Sequence, residues 1–161
     1  TQPNTTVLIT PRANIVGHSA NVTYSVTLNA GQTYSARTTS LAATPSLAGS
    51  IISSNKPVAV TVHSGALSSA GCMSTTGDQI TTTEHIGTDY IIYKNNAFNE
   101  RIYVLATQNA TTVEVYKSTN SNTMINWGET HQITTNVNDT VIYIKTNKPV
   151  YVYHLSGNGC R

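Results

Sequence analysis

The chain has 161 residues and a mass of 17.2 kDa, with 10% charged residues and a formal net charge of +2. Its Lys and Arg residues are scattered singly, which excludes the concentrated basic patch of a nucleic-acid binder. No apolar run approaches the roughly 18 residues of a membrane-spanning helix, so direct membrane insertion by a helix is excluded too. Polarity comes instead from Thr, Asn and Ser, and nine Tyr stand against one Phe and one Trp. Branched and aromatic side chains suit a pleated surface, and no stretch holds a helical period.

In chain order the first strand-like run is Thr6 to Thr10. From Asn21 to Leu28, Val22, Tyr24, Val26 and Leu28 alternate with polar residues, the period-2 pattern of a half-buried strand. Asn29-Ala30-Gly31 then supplies turn chemistry. Ser50 to Ser53 and Val58 to His63 follow, split by Asn55-Lys56-Pro57. The Gly-, Ser- and Thr-rich stretch from Ser64 to Thr83 reads as a long loop or connection. Later strands are expected at Asp89 to Lys94, Arg101 to Thr107, Thr112 to Lys117, Ile133 to Thr135, Thr140 to Thr146 and Val150 to Leu155. Turn residues every 8–12 positions or so are the punctuation of an antiparallel sandwich or barrel.

Three landmarks occur twice and in the same order. Thr1-Gln2-Pro3-Asn4-Thr5-Thr6-Val7 matches Thr107-Gln108-Asn109-Ala110-Thr111-Thr112-Val113. Ala30-Gly31-Gln32-Thr33 resembles Trp127-Gly128-Glu129-Thr130. Asn55-Lys56-Pro57-Val58 matches Asn147-Lys148-Pro149-Val150, each followed by Ser-Gly. Proline lacks an N–H and holds its predecessor extended, so Asn-Lys-Pro is expected to be a corner between two strands. The expected fold is all-β, with two tandem, related antiparallel β-sandwich-like units. The first repeat occupies 1–70, a connection 71–83 and the second repeat 84–161. The second repeat has two strands ahead of its Thr-Thr-Val and the first has none, so the chain is expected to be cut from a longer protein, its upstream strands missing.

Catalysis requires reactive groups brought together in a recognisable arrangement. Seven carboxylates are present, and none sits in a recognisable acid/base pair. Asp78, Glu84, His85 and Asp89 form the densest polar cluster, which reads as a solvated loop and strand edge rather than a metal site. There is no nucleophile elbow, phosphate loop or His-Glu-x-x-His. No enzyme activity and no cofactor is expected.

The residues from Gly49-Ser50-Ile51-Ile52-Ser53-Ser54-Asn55-Lys56-Pro57-Val58 to the following Ser-Gly, with the Cys72 loop leading to Asp78-Gln79, resemble the IgGFc-binding-protein N-terminal domain family. So do the strand from Gly87 to Tyr93, the Tyr103-Val104-Leu105-Ala106-Thr107 strand, Thr111-Thr112-Val113 and Lys148-Pro149-Val150. The family pattern carries more cysteine after Ser64-Gly65, where this chain has only Cys72. The resemblance implies an extracellular β module of mucus-associated animal proteins or bacterial surface proteins, and the Thr/Asn-rich style is closer to the Bacteroidetes members. For these, structural or adhesive roles are implied.

Tyrosine is the most suggestive residue type. Exposed aromatics bind sugar rings or partner proteins, and Trp127, Tyr151 and Tyr153 are the binding candidates. Tyr151 and Tyr153 alternate with Val150 and Val152, so a solvent-facing row or an assembly interface fits equally. Cys72 and Cys160 each follow a Ser-Gly. They either bridge internally, closing a long loop, or pair elsewhere. Thr140, in Asp139-Thr140-Val141, is a candidate for O-linked glycosylation, and Asn4, Asn21, Asn109 and Asn138 head N-glycosylation triplets. The expected function is a structural or adhesive module of a secreted or cell-surface protein, with other surface proteins, glycans or copies of itself as partners. The alternative is a carbohydrate- or glycoprotein-binding module using tyrosines and Trp127.

Overall fold

The computed structural model describes residues 2–40, 46–69, 72–94 and 100–156. These carry eleven strands and no helix: β1 (Thr5–Thr10), β2 (Tyr24–Leu28), β3 (Ile51–Ser54), β4 (Thr61–Ser69), β5 (Cys72–Gln79), β6 (Gly87–Tyr93), β7 (Arg101–Ala106), β8 (Thr111–Tyr116), β9 (Ser121–Ile125), β10 (Thr130–Ile133) and β11 (Val141–Leu155). The protein is therefore all-β. The chain divides into two compact units, one of Thr1–Ala66 with Thr75–Ile80, the other of Leu67–Ser74 with Thr81–Arg161.

In the first unit, β1 pairs antiparallel with β2 on one side and β3 on the other. Alternation along β1 buries Thr5, Val7 and Ile9 and turns Thr6, Leu8 and Thr10 outward. Ala13 and Ile15 extend this small core. The stretch expected as a loop after Ser64 instead forms a two-stranded sheet of β4 and β5, its base closed by Ile80 N–H to the Val60 carbonyl at 3.0 Å. Gly77 permits the close approach: a Cβ there would lie 3.1 Å from the Val62 carbonyl oxygen. Thr and Ser without apolar alternation give a hairpin no periodic signal, which is why it reads as a loop.

In the second unit a six-stranded sheet is organised around β11, in the order β10-β7-β11-β8-β9 with β6 also on β11. The first half of β11 lies between β6 and β8, the second half beside β7. The sequence predicts two strands meeting at a corner. The structure keeps one strand, with a register break between Lys145 and Val150. The inward residues of both halves and their neighbours meet in one core: Ile92, Ile102, Val104, Ala106, Val113, Val115, Ile125, Ile133, Ile142, Ile144 and Val150. Strand β9, Ser-Asn-Thr-Met-Ile, was not anticipated, because only Ile125 of its residues is buried.

The same set of hydrogen bonds recurs in both units. Asn55 Oδ1 accepts from Thr6 N–H at 2.9 Å, and Asn147 Oδ1 from Thr112 N–H at 2.8 Å. Asn29 Oδ1 accepts from Asn4 N–H, and Asn126 Oδ1 from Ala110 N–H. The ammonium of Lys56 reaches the Pro3 carbonyl, and that of Lys148 the Asn109 carbonyl. The buried Thr5 hydroxyl donates to Gln2 carbonyl and the buried Thr111 hydroxyl to Gln108 carbonyl, both at 2.7 Å. Asn side chains thus take the place of main-chain carbonyls where the chain turns, satisfying N–H groups that would otherwise lack a partner.

A buried carboxylate pins the turn ahead of β11. Asp139 accepts from the Ser118 hydroxyl and N–H and, at 2.7 Å, from Asn136 N–H; Lys117 Nζ lies 3.6 Å away. Burial alone would raise its pKa, but these donors and the ammonium outweigh it and bring it down to about 2. Thr140 beside it is exposed. The Cys72–Cys160 pairing lies outside the described residues, since Cys160 is not among them and Cys72 enters only through the backbone of β5.

Two outcomes follow from this architecture. Replacing Asp139 with Ala removes three part-buried hydrogen bonds and takes the carboxylate from the buried Lys117 ammonium, and is expected to cost about 3 kcal/mol in urea unfolding at pH 7. A carboxyl whose folded pKa is depressed stabilises fully above its unfolded value and loses that contribution as pH falls. The gap between parent and variant should therefore shrink as pH drops from roughly 4 towards about 2. Ala110 sits at φ +51°, left-handed space that its Cβ disfavours. Ala110→Gly should stabilise the fold by about 1 kcal/mol, read as a rise in the unfolding midpoint.

Candidate functional site

The core-facing side chains of β6, β11 and β8 leave a second set on the opposite face. Register places Tyr93 beside Val141, then Ile91 beside Tyr143 and Tyr116, then Asp89 beside Lys145 and Glu114. Ile91 is 77% exposed and Tyr93 66%, with Val141 and Tyr116 also exposed. One sheet face therefore carries five neighbouring large apolar or aromatic side chains. An exposed cluster of this kind marks a contact surface more often than isolated surface hydrophobics do.

The tyrosines on this face are held in place. The rings of Tyr116 and Tyr143 stack, with centroids 5.6 Å apart and planes 25° from parallel. The Tyr116 hydroxyl donates to Glu114 Oε2 at 2.6 Å, and the Tyr143 hydroxyl donates to Asp89 Oδ1. The Tyr143 bond, with a second from the Thr88 hydroxyl, holds the Asp89 carboxyl below its usual range; Lys145 adds a weaker pull. The same bonds push the phenols upward: Tyr143 through Asp89 and Tyr116 through Glu114. At neutral pH Asp89 is thus charged and both phenols are neutral, and two acidic side chains act as tethers for two rigid rings.

The residues singled out from sequence lie elsewhere. Tyr151 and Tyr153 share the outward face of the second half of β11, opposite Leu105 and Tyr103 of β7. Both are half-buried, and the Tyr151 hydroxyl donates to the Thr81 carbonyl at 2.8 Å. Trp127 is half-buried in the turn between β9 and β10, its N–H donating to Asn109 Oδ1. The structure brings Tyr151 and Tyr153 together and keeps Trp127 in a separate turn. The Ile91–Tyr93–Tyr116–Val141–Tyr143 face was missed because alternation alone does not say which face of a strand gets covered.

No group of three or more His, Cys, Asp or Glu side chains converges among the described residues. Within the expected acidic cluster, Asp78 bonds its neighbour Gln79 N–H, His85 pairs with Thr82, and Asp89 belongs to the tyrosine face. Two concavities among the described residues are shallow: about 250 Å³ over Thr6, Leu8, Ser53, Ser54 and Asn55, and about 280 Å³ over Glu114 to Tyr116 and Asn120 to Asn122. No described helix is long and apolar enough to cross a membrane.

A family model described as IgGFc binding protein matches residues 1–160. The chain belongs to that family, which consists of binding modules from extracellular or surface proteins. No curated protein and no solved structure gives a significant match.

The tether between Tyr143 and Asp89 is directly measurable. In Tyr143→Phe, Asp89 loses the largest cause of its lowered pKa. Carboxyl-carbon NMR titration should show its midpoint moving up towards the ordinary Asp value, while Asp139 stays where it is.

Proposed function

We propose that this member of the IgGFc-binding protein family is a non-catalytic protein-binding module, and that its contact surface is the tyrosine face of β6, β11 and β8. One observation carries the reading: Ile91, Tyr93, Tyr116 and Val141 stand exposed together, with the half-buried Tyr143 among them, on a sheet whose opposite face already fills the core. The face is broad and without a cleft, which suits a protein surface better than a small molecule. Tyrosines supply large rigid contact area at low entropic cost. Their tethering to Asp89 and Glu114 reduces the ordering still to be done on binding. A role as a structural or adhesive part of a surface protein follows from the same contact, and family membership supports an extracellular setting.

The carbohydrate reading rests on Trp127, Tyr151 and Tyr153. Tyr103, Tyr151 and Tyr153 do form a partly exposed aromatic row, so it keeps a specific observation in its favour. An O-linked glycan on the exposed Thr140 and a Cys72–Cys160 bridge would suit the same extracellular role, and intact mass with peptide mapping checks both.

The family description names one protein ligand, the Fc region of IgG, and Fc is the first probe. In surface plasmon resonance with native and deglycosylated Fc, beside a panel of extracellular proteins, Ile91→Asp and Tyr93→Ala should each weaken protein binding by about tenfold or more. Both positions are solvent-exposed, so the unfolding midpoint should hold. Binding unaffected by these changes but lost on deglycosylation and on Trp127→Ala would replace the tyrosine face with the carbohydrate reading.

A further inference from the structure

The recurring hydrogen bonds put β3 in register with the first half of β11. Asn55 corresponds to Asn147, Ser54 to Thr146, Ile52 to Ile144 and Ile51 to Tyr143. The partner ladders agree: Val7 faces Ser54 as Val113 faces Thr146, and Thr5 faces Leu28 as Thr111 faces Ile125. The environments of the matched strands differ. Beyond its pairing with β8, β11 has a second edge filled by β6: Ile142 pairs with Ile92, Ile144 with Tyr90 and Lys145 with Asp89. Among the described residues no strand occupies the corresponding edge of β3, which ends its sheet.

Main-chain direction makes that edge a usable one. Asn55 N–H bonds the Thr6 carbonyl, and alternation in an antiparallel ladder then turns Ser53 and Ile51 towards β1. The N–H and C=O of Ile52 and the C=O of Ser54 point away from it. In the second unit Lys94 N–H bonds the Thr140 carbonyl, so the same alternation aims Ile142 and Ile144 at β6. The side chains tell the same story. Ile144 is fully buried, while its counterpart Ile52 is 39% exposed, and all four residues of β3 are exposed.

We propose that the far edge of β3 is a strand-acceptor site, filled by an extended segment of another polypeptide that carries the alternation of β6. The occupant would run antiparallel to β3. Residues in the places of Tyr90 and Ile92 would face inward over Ile52, and a polar residue in the place of Asp89 would lie outward opposite Ser53. This is recognition by sheet extension, in which main-chain bonds give affinity and alternate side chains give selectivity. A second copy of the chain is the weaker occupant. Its own β6 could reach β3 only by leaving β11, an exchange of equivalent bonds with no gain. The site is on the first unit, whereas the tyrosine face belongs to the second.

The test uses the whole chain, isotope-labelled for NMR, and a synthetic peptide of residues 87–94 as the probe. The peptide should shift and protect from hydrogen exchange the amides of Ile51 to Ser54, leaving those of β11 unchanged. N-methylating the peptide at the Tyr90 and Ile92 positions, whose amides face the acceptor, should weaken binding by about tenfold or more, while N-methylation at Ile91 should change it by less than about twofold. These modifications leave the protein untouched, so misfolding cannot imitate the result. Shifts confined to β11 and β8 would mean that the peptide displaces β6, and would overturn the proposal. So would the lack of any shift at millimolar peptide. Sedimentation that shows a dimer dispersed by the peptide would overturn it in favour of a second copy as occupant.

Discussion

A proline inside a paired strand removes a donor from the ladder, and the fold is organised around the solution to that problem at Asn147-Lys148-Pro149. The strand is not ended there. It shifts register, and the flanking side chains take over main-chain duties. Asn147 Oδ1 receives the Thr112 N–H and its Nδ2 reaches the Ala110 carbonyl. The Lys148 ammonium binds the Asn109 carbonyl, and the Thr107 hydroxyl donates to the Pro149 carbonyl at 2.6 Å. Each such bond is worth only about 1 kcal/mol net, but leaving a buried group unmatched costs more. Because the break is sealed, β11 can belong to three ladders, with β6, β7 and β8. Its first half presents Ile142 and Ile144, its second half Val150, to one core.

The division of labour between the two faces of that strand follows from this. Inward positions are filled by Val and Ile, which pack without polar atoms to satisfy. Outward positions use Tyr where Phe would be expected from size alone. The hydroxyl gives each ring a partner: Asp89 for Tyr143, Glu114 for Tyr116. In a chain with seven acidic residues, two assigned to orienting phenols on a single face is a large commitment. It gives that face fixed ring positions in place of a mobile apolar patch, which is the property a contact surface needs and a merely solvated strand does not.

How far the sequence discloses this depends on the kind of signal. Alternation in Tyr24 to Leu28, Arg101 to Ala106 and Thr111 to Tyr116 is enough to place strands, because burial of one face is written into every second residue. The duplicated Asn-Lys-Pro-Val marks where the chain turns, because proline and asparagine act through local geometry. Strand β9 buries only Ile125, and the β4–β5 stretch is made largely of Ser, Thr and Gly, so neither carries an apolar period in the sequence. The tyrosine face needed tertiary information. Tyr93 and Tyr151 look alike in sequence, each following an aliphatic residue in a strand. Only the placement of β6 at the sheet's edge and β11 at its centre leaves Tyr93 open while drawing the Tyr151 hydroxyl onto the Thr81 carbonyl.

The comparison of Ile52 with Ile144 separates two levels of specification. Both lie in the same local frame, with the same asparagine three residues on, the same lysine after it and the same register against a Thr-Thr-Val strand. Local chemistry is therefore sufficient to build the ladder. It is not sufficient to build a core, since one isoleucine is fully buried and the other is not. What differs is the strands laid beside the ladder: β6 closes the edge of β11, and β7 and β10 bring Ile102, Val104 and Ile133 into the core with Ile144. A three-stranded sheet with four exposed residues on its end strand has its turns fully specified and its edge open. Such a sheet gains most from a partner that brings main-chain donors and an apolar face together, and an added strand is the smallest element that does both.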